Sequence, residues 1–214
     1  MLRVALTGGV ATGKTYVRTR IAASGVPTID ADAVVHALFA AGTETSRDIV
    51  SRFGPAVAAP DGTIDRQALG ALVFEDESER RALEAIVHPR VYERLAAWMA
   101  FQAGRDVGWV VAEIPLLFET SREGDFDRVI VAACSEAEQV RRLTGRLGIA
   151  ESTARVRVAA QWPIGEKARR ASDVIDTSGS LEETDRQVDA LCRRIDAAAR
   201  TRGARADQPD CRPL

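Results

Sequence analysis

The octapeptide Gly8-Gly9-Val10-Ala11-Thr12-Gly13-Lys14-Thr15 follows a short apolar run, Arg3 to Thr7, and precedes a pattern in which Val17 and Ile21 share a helical face. It fits the spacing G-x-x-x-x-G-K-[ST] and stands where that chemistry requires it, between a first strand and a helix. Glycines let the backbone wrap a phosphate without Cβ collisions, so that successive N–H groups point inward. The start of the following helix adds the positive end of its dipole. In such a cradle Lys14 reaches between β- and γ-phosphates, and the Thr15 hydroxyl is placed to ligand magnesium. Against a chance glycine turn stands the lysine itself. Of 29 basic residues 27 are Arg and only two, Lys14 and Lys167, are Lys; there is no Asn. An Arg-dominated chain that puts a slim ammonium here reads as a nucleoside-triphosphate site.

Four further apolar runs read as buried parallel strands: Val26 to Asp30, Trp109 to Ile114, Arg128 to Ala133 and Asp173 to Asp176. Helical patterns separate them. Gly25 is a stop signal for the first. Ser135 with Glu138, and Ser180 with Glu183, have the spacing of capping boxes after the fourth and fifth strands. This alternation predicts an α/β fold built on a doubly wound parallel five-stranded sheet.

Two segments exceed a minimal strand–helix alternation. Residues 34–104 leave too long a gap for one crossover helix, and Leu83, Val87, Val91, Leu95 and Trp98 keep helical spacing across Pro89. By periodicity this insertion is either packing decoration or a substrate-binding subdomain. Residues 141–170 carry eight basic side chains against Glu151 and Glu166. That run is either a solvated helix face or, in a phosphate-handling protein, a lid that closes over the nucleotide. The tail from about Thr201 is expected to fray.

At 214 residues, with 46% hydrophobic and 28% charged side chains, the chain suits one soluble core with room for a small insertion. A net charge of −2 gives no bulk electrostatic case for nucleic acid or an anionic membrane. Cys134, Cys192 and Cys211 lack metal-ligand spacing and suit a reducing compartment. No stretch approaches the ~20 apolar residues of a membrane span. A cytoplasmic protein is expected, monomeric unless an interface shows otherwise, without nucleic-acid or membrane partners.

The second strand ends in Ile29-Asp30-Ala31-Asp32, which brings two carboxylates to the carboxyl edge of the sheet, where ligands gather in open α/β folds. A carboxylate there can accept the proton of an attacking hydroxyl or hold magnesium through water; it can equally cap the next helix. The cap reading suits Asp30 better; for Asp32 both readings stay open on position alone.

Further motifs lie downstream: Asp61-Gly62-Thr63-Ile64-Asp65-Arg66, His88-Pro89, Ile114-Pro115-Leu116-Leu117-Phe118-Glu119, Arg142-Leu143 with Arg146, Arg157-Val158-Ala159-Ala160-Gln161, Lys167, and Asp173-Val174-Ile175-Asp176. With Leu6-Thr7-Gly8-Gly9 through Thr15 and the Asp-Ala-Asp, these make the chain resemble the dephospho-CoA kinase family along nearly its whole length. The resemblance implies a P-loop NTPase-type core (1–33, 105–140 and 172–200), a helical insertion for the acceptor (34–104), a helical lid (141–171) and a tail (201–214). It implies transfer of phosphate from ATP, with magnesium, to the ribose 3′-hydroxyl of dephospho-CoA. Asp32 would then be the base. Gly9, Ala11, Thr12, Gly13, Lys14, Thr15, Tyr16, Arg142 and Arg146 would bind ATP, with Lys14 and Arg142 also serving catalysis. Thr7, Arg66, His88, Leu116, Phe118, Arg157 and Gln161 would join Asp32 on the acceptor side.

Plainer readings stand beside these roles. His88 before Pro89 can cap or bridge helices, Phe118 can be core, and Arg66 can pair with a neighbouring Asp. Ala11 and Thr12 replace a Gly-Ser frequent in the family loop, and both are small enough to keep the cradle. Tyr16 stands where a small hydroxyl residue is usual, and Ser172 and Thr177 replace an Asp and an Asn near the adenine side. The nearest rival reading is a nucleoside-monophosphate kinase, which does not account for Pro-Leu-Leu-Phe-Glu with Asp-Ala-Asp. A guanine switch needs [NT]-K-x-D, which the chain lacks. A non-catalytic binder would not need Lys14, Thr15 and Asp32 together.

Overall fold

Leu2–Gly8 forms β1, in which only Arg3 is exposed. That near-continuous burial is the mark of a central parallel strand, covered on both faces. The computed structural model describes residues 1–105 and 107–206. The sheet order is β2-β3-β1-β4-β5, with β2 at Thr28–Asp30, β3 at Trp109–Glu113, β4 at Arg128–Ala133 and β5 at Asp173–Asp176. β1 pairs in parallel with both β3 and β4, and β4 with β5. All five strands expected from the apolar runs are present.

Side chains of one parity, Leu2, Val4, Leu6, Trp109, Val111, Ile130 and Ile175, pack with helix α1 (Lys14–Ala23) through Val17 and Ile21. Helix α9 (Leu181–Ala206) joins them through Val188, Leu191 and Ile195. Val17 and Ile21 are fully buried, each worth ~1.5–3 kcal/mol relative to exposure. Ala5, Val110, Ala112, Val129 and Val131, of the other parity, are buried as well, so the sheet is doubly wound. The Ser180–Glu183 pair forms a full capping box: Ser180 Oγ accepts from Glu183 N at 3.2 Å, and Ser180 N donates to Glu183 Oε2 at 2.9 Å. The tail expected to fray from Thr201 remains helical through Ala206, as a continuation of α9; the rest of it, with Cys211, lies outside the described residues.

Residues 1–29 with those from 101 onward form one compact unit, and Asp30–Ala100 a second. The second unit contains α2 (Ala31–Leu38), α3 (Glu44–Phe53), α4 (Arg66–Glu75) and most of α5 (Glu77–Ala103). Val87, Val91 and Leu95 are buried on one stripe of α5, which runs through Pro89. Proline in a helix interior removes a bond and crowds the preceding turn. Beside it, Arg90 donates to the Ile86 carbonyl at 2.9 Å and pairs with Asp48, which fixes the helix at that turn. The Asp-Gly-Thr element is a tight reversal: Gly62 has φ +81°, Ala59 N donates to Thr63 O at 2.8 Å, and Asp61 Oδ1 accepts from Thr63 Oγ1 at 2.7 Å. Those bonds to Thr63 lower the Asp61 pKa. Asp65 then caps α4, accepting from Gln67 N and Ala68 N. The motif therefore delivers Arg66 at the first residue of that helix.

In the first unit the basic segment forms α6 (Glu136–Leu147), α7 (Glu151–Ala159) and α8 (Ile164–Arg170).

Candidate active site

The cradle is shaped by what its glycines exclude. A Cβ on Gly8 would lie 2.4 Å from the Ala132 carbonyl oxygen and 2.6 Å from Thr12 Oγ1. One on Gly9 would lie 2.6 Å from Gln139 Oε1. Gly13 takes the left-handed conformation at φ +78° and starts α1. Ala11 is left-handed too, at φ +58°, a conformation costing a non-glycine residue ~1–2 kcal/mol. The loop nonetheless closes. Thr12 Oγ1, at 2.9 Å, and Lys14 Nζ, at 2.8 Å, both donate to the Gly9 carbonyl. Lys14 thus lies across the loop, while Thr15 is exposed on the first turn of α1. The Thr15 hydroxyl is a hard oxygen donor, which fits magnesium retaining several waters. Among the described residues no group of three or more His, Cys, Asp or Glu forms a metal cage.

The far wall comes from the end of β5. Thr177, 6% exposed, donates through Oγ1 to Thr12 O at 2.9 Å and accepts from Arg142 Nη1 at 3.3 Å. Arg142 also donates through Nη2 to the Thr177 carbonyl and through Nε to Glu138 at 2.6 Å. Thr177 therefore ties β5 to both the cradle and α6. Ser135 caps α6 as expected, accepting from Glu138 N at 3.2 Å, but the Glu138 carboxylate turns to the arginines. Hydrogen bonds from Arg141 and then Arg142 bring its pKa from an ordinary 4.5 down to about 2. Arg146 on α6 and Arg157 on α7 are exposed, and neither has an acidic partner among the described residues.

Several of the expected site residues make contacts within the protein. Tyr16 directs its hydroxyl to Asp185 Oδ1 at 2.9 Å, so its phenol braces α1 against α9. Thr7 is fully buried and donates to Pro115 O at 3.2 Å, tying β1 to the loop after β3. Phe118 is 1% exposed and stacks on Trp162, with centroids 6.3 Å apart, while Leu116 of the same loop is 41% exposed. The core reading of Phe118 is realised. Gln161, expected on the acceptor side, accepts through Oε1 from Val10 N at 2.7 Å and so supports the phosphate loop.

The remaining residues expected on the acceptor side lie in the second unit. Asp30 caps α2, its Oδ1 accepting from Asp32 N at 2.9 Å. Asp32 follows in the first helical turn, exposed. Arg66 is exposed and has no acidic partner among the described residues, so the surface-bridge reading is not realised. His88 lies inside α5, its ring in a T-shaped pair with Tyr92, not at a cap.

Sequence reasoning missed Gln139, 2% exposed behind Gly9, and Glu113, 4% exposed at the end of β3 and paired with Arg18 at 2.7 Å. Glu113 closes an apolar strand, and that position at the ligand edge was a usable signal. Gln139 offered none.

Comparison with known proteins places the chain among relatives. A family model described as Dephospho-CoA kinase matches residues 2–183. A curated dephospho-CoA kinase from Geobacillus kaustophilus is 42% identical over 92% of this chain and 98% of its own length. One from Symbiobacterium thermophilum is 45% identical over 89% and 80%. Among solved structures, TT1252 from Thermus thermophilus aligns with a TM-score of 0.76 at 33% identity over 90% of this chain and 97% of that one. A dephospho-CoA kinase from Campylobacter jejuni, at 23% identity and TM-score 0.71 over 92% and 98%, shares the fold.

Proposed function

From the premise that this chain belongs to the dephospho-CoA kinase family, we propose a division of labour among its residues for ATP-dependent phosphorylation of the ribose 3′-hydroxyl of dephospho-CoA, the closing step of coenzyme A synthesis. The observation that carries it is the closed cradle at Gly8–Thr15, with Lys14 over the loop and a helix starting at Gly13. Backbone N–H groups of the loop and the Lys14 ammonium hold the β- and γ-phosphates. The Thr15 hydroxyl would hold magnesium, which when bound would supply positive charge to the phosphoryl oxygens. Asp32 accepts the proton of the attacking hydroxyl, and its place in the first turn of α2, on a helix capped by Asp30, supports that role.

Arg146, exposed and unpaired by acid among the described residues, and Arg142, fixed by Thr177 and Glu138, serve ATP from the lid side. Arg66, His88 and Leu116 contact the acceptor, with Arg157 on the lid helix α7. Thr7, Phe118 and Gln161 act by holding the two loops in place. Transfer to an alcohol instead of water requires an acceptor cleft and a closing lid, consistent with a helical acceptor subdomain and a lid made from α6 to α8. The enzyme is expected to work as a cytoplasmic monomer. No described helix is long and apolar enough to cross a membrane.

Purified protein supplied with Mg·ATP and, in turn, dephospho-CoA, AMP and CMP tests the proposal. Dephospho-CoA should give the highest kcat/KM by orders of magnitude. Faster turnover of a nucleoside monophosphate would sink it.

A further inference from the structure

Lys167 is the second of two lysines in a chain with 27 arginines, and it is wholly buried. It lies on α8, the helix by which the lid segment returns to the sheet. Its ammonium is 2.7 Å from Glu119 Oε1, 3.4 Å from Gly8 O and 3.5 Å from Pro115 O. Three acceptors from two separate loops therefore converge on one point charge. Gly8 opens the phosphate cradle, and Pro115 and Glu119 bound the loop after β3. A compact ammonium can serve all three from one point, whereas a guanidinium spreads its donors over a wide planar fork.

The surroundings fix the same junction. Glu119 Oε1 also accepts from Trp162 N at 3.1 Å, and the Trp162 ring stacks on Phe118 and carries the Arg170 guanidinium 4.7 Å from its centroid. Glu119 Oε2 is buried without a hydrogen-bond partner among the described residues. A buried ion pair is a poor way to add stability, since desolvation offsets most of its attraction, and its best-attested use is to set registry. Here the registry is that of the acceptor-side loop against the cradle.

We propose that Lys167 is a positioning residue for phosphoryl transfer, fixing the Pro115–Glu119 loop to the first residue of the phosphate cradle. The inference rests on the kinase reading above, and wild-type turnover of dephospho-CoA tests that reading separately. Removing the ammonium lets the loop shift against the γ-phosphate, and a misplacement of ~1 Å costs on the order of 10²-fold in rate. Direct ATP ligands are untouched.

Steady-state kinetics and thermal melting of the full chain test it, with Lys167→Met and the double variant Lys167→Met/Glu119→Gln. The double variant leaves no unpaired buried charge, so it recovers most of any melting loss in the single one. The expected result for both is kcat lowered roughly 10–100-fold, with KM for ATP within about threefold of wild type. Recovery of kcat together with melting temperature in the double variant would show a purely structural tie and overturn the proposal. So would wild-type kcat in either variant, loss of ATP binding in step with kcat, or failure of both variants to fold.

Discussion

Replacing Gly8 by Ala tests the cradle at its tightest point. Gly8 closes β1 and is in register with Ala132 of β4, so its neighbour is the backbone of a paired central strand. The added Cβ would stand 2.4 Å from the Ala132 oxygen, where carbon–oxygen contact ordinarily begins near ~3.3 Å. A relief movement of ~0.9 Å is thus required. Thr12 Oγ1, 2.6 Å away on the other side, is itself bonded to Gly9 O and cannot simply withdraw. Overpacking of this kind costs ~1–3 kcal/mol, or roughly 2–12 °C in melting temperature for a chain of this size. The same shift carried into the loop misplaces the γ-phosphate and lowers kcat/KM for ATP by about 10²-fold. Differential scanning calorimetry and ATP-dependent CoA formation measure the two effects. A Gly8→Ala enzyme that melts and turns over like wild type would refute the close-approach account.

Three other perturbations bear on single links. Lys14→Ala removes the charge held over the loop, so ATP affinity and turnover should both fall; unaltered KM for ATP and kcat would dismiss its phosphate role. Asp32→Asn should lower kcat by ~10²–10⁴-fold while ATP binding by calorimetry persists, and full turnover would return Asp32 to a structural part in α2. Glu138, with its pKa depressed to about 2 by Arg141 and Arg142, contributes stability that is complete above its ordinary 4.5 and lost as pH falls through about 2. The melting difference between wild type and Glu138→Gln should therefore be flat from pH 5 to 8 and shrink below about 4.5; a difference that grows on acidification would reverse the assignment.

The sheet was legible because its strands are local apolar runs, and the cradle because one octapeptide contains its glycines, lysine and hydroxyl. The capping signals were local as well, though the Glu138 carboxylate turned to arginines one turn along α6 where a capping box was expected. Spacing cannot reveal approach between distant segments. Gln161 reaches Val10 across 151 positions and Lys167 reaches Gly8 across 159, so neither contact leaves a periodic trace. Nor does spacing show that Tyr16, next to Thr15 on α1, sends its hydroxyl to Asp185 on α9. Thr177 likewise joins β5, the cradle and Arg142 through contacts that no local pattern announces.

The claim on which the rest depends is that phosphate passes from ATP to the ribose 3′-oxygen of dephospho-CoA. Phosphorus NMR and mass spectrometry of the product formed from Mg·ATP and dephospho-CoA address it directly. The account predicts one new phosphate at the ribose 3′ position and one ADP for each coenzyme A formed. ADP released with no coenzyme A, or phosphate found on another oxygen, would contradict it.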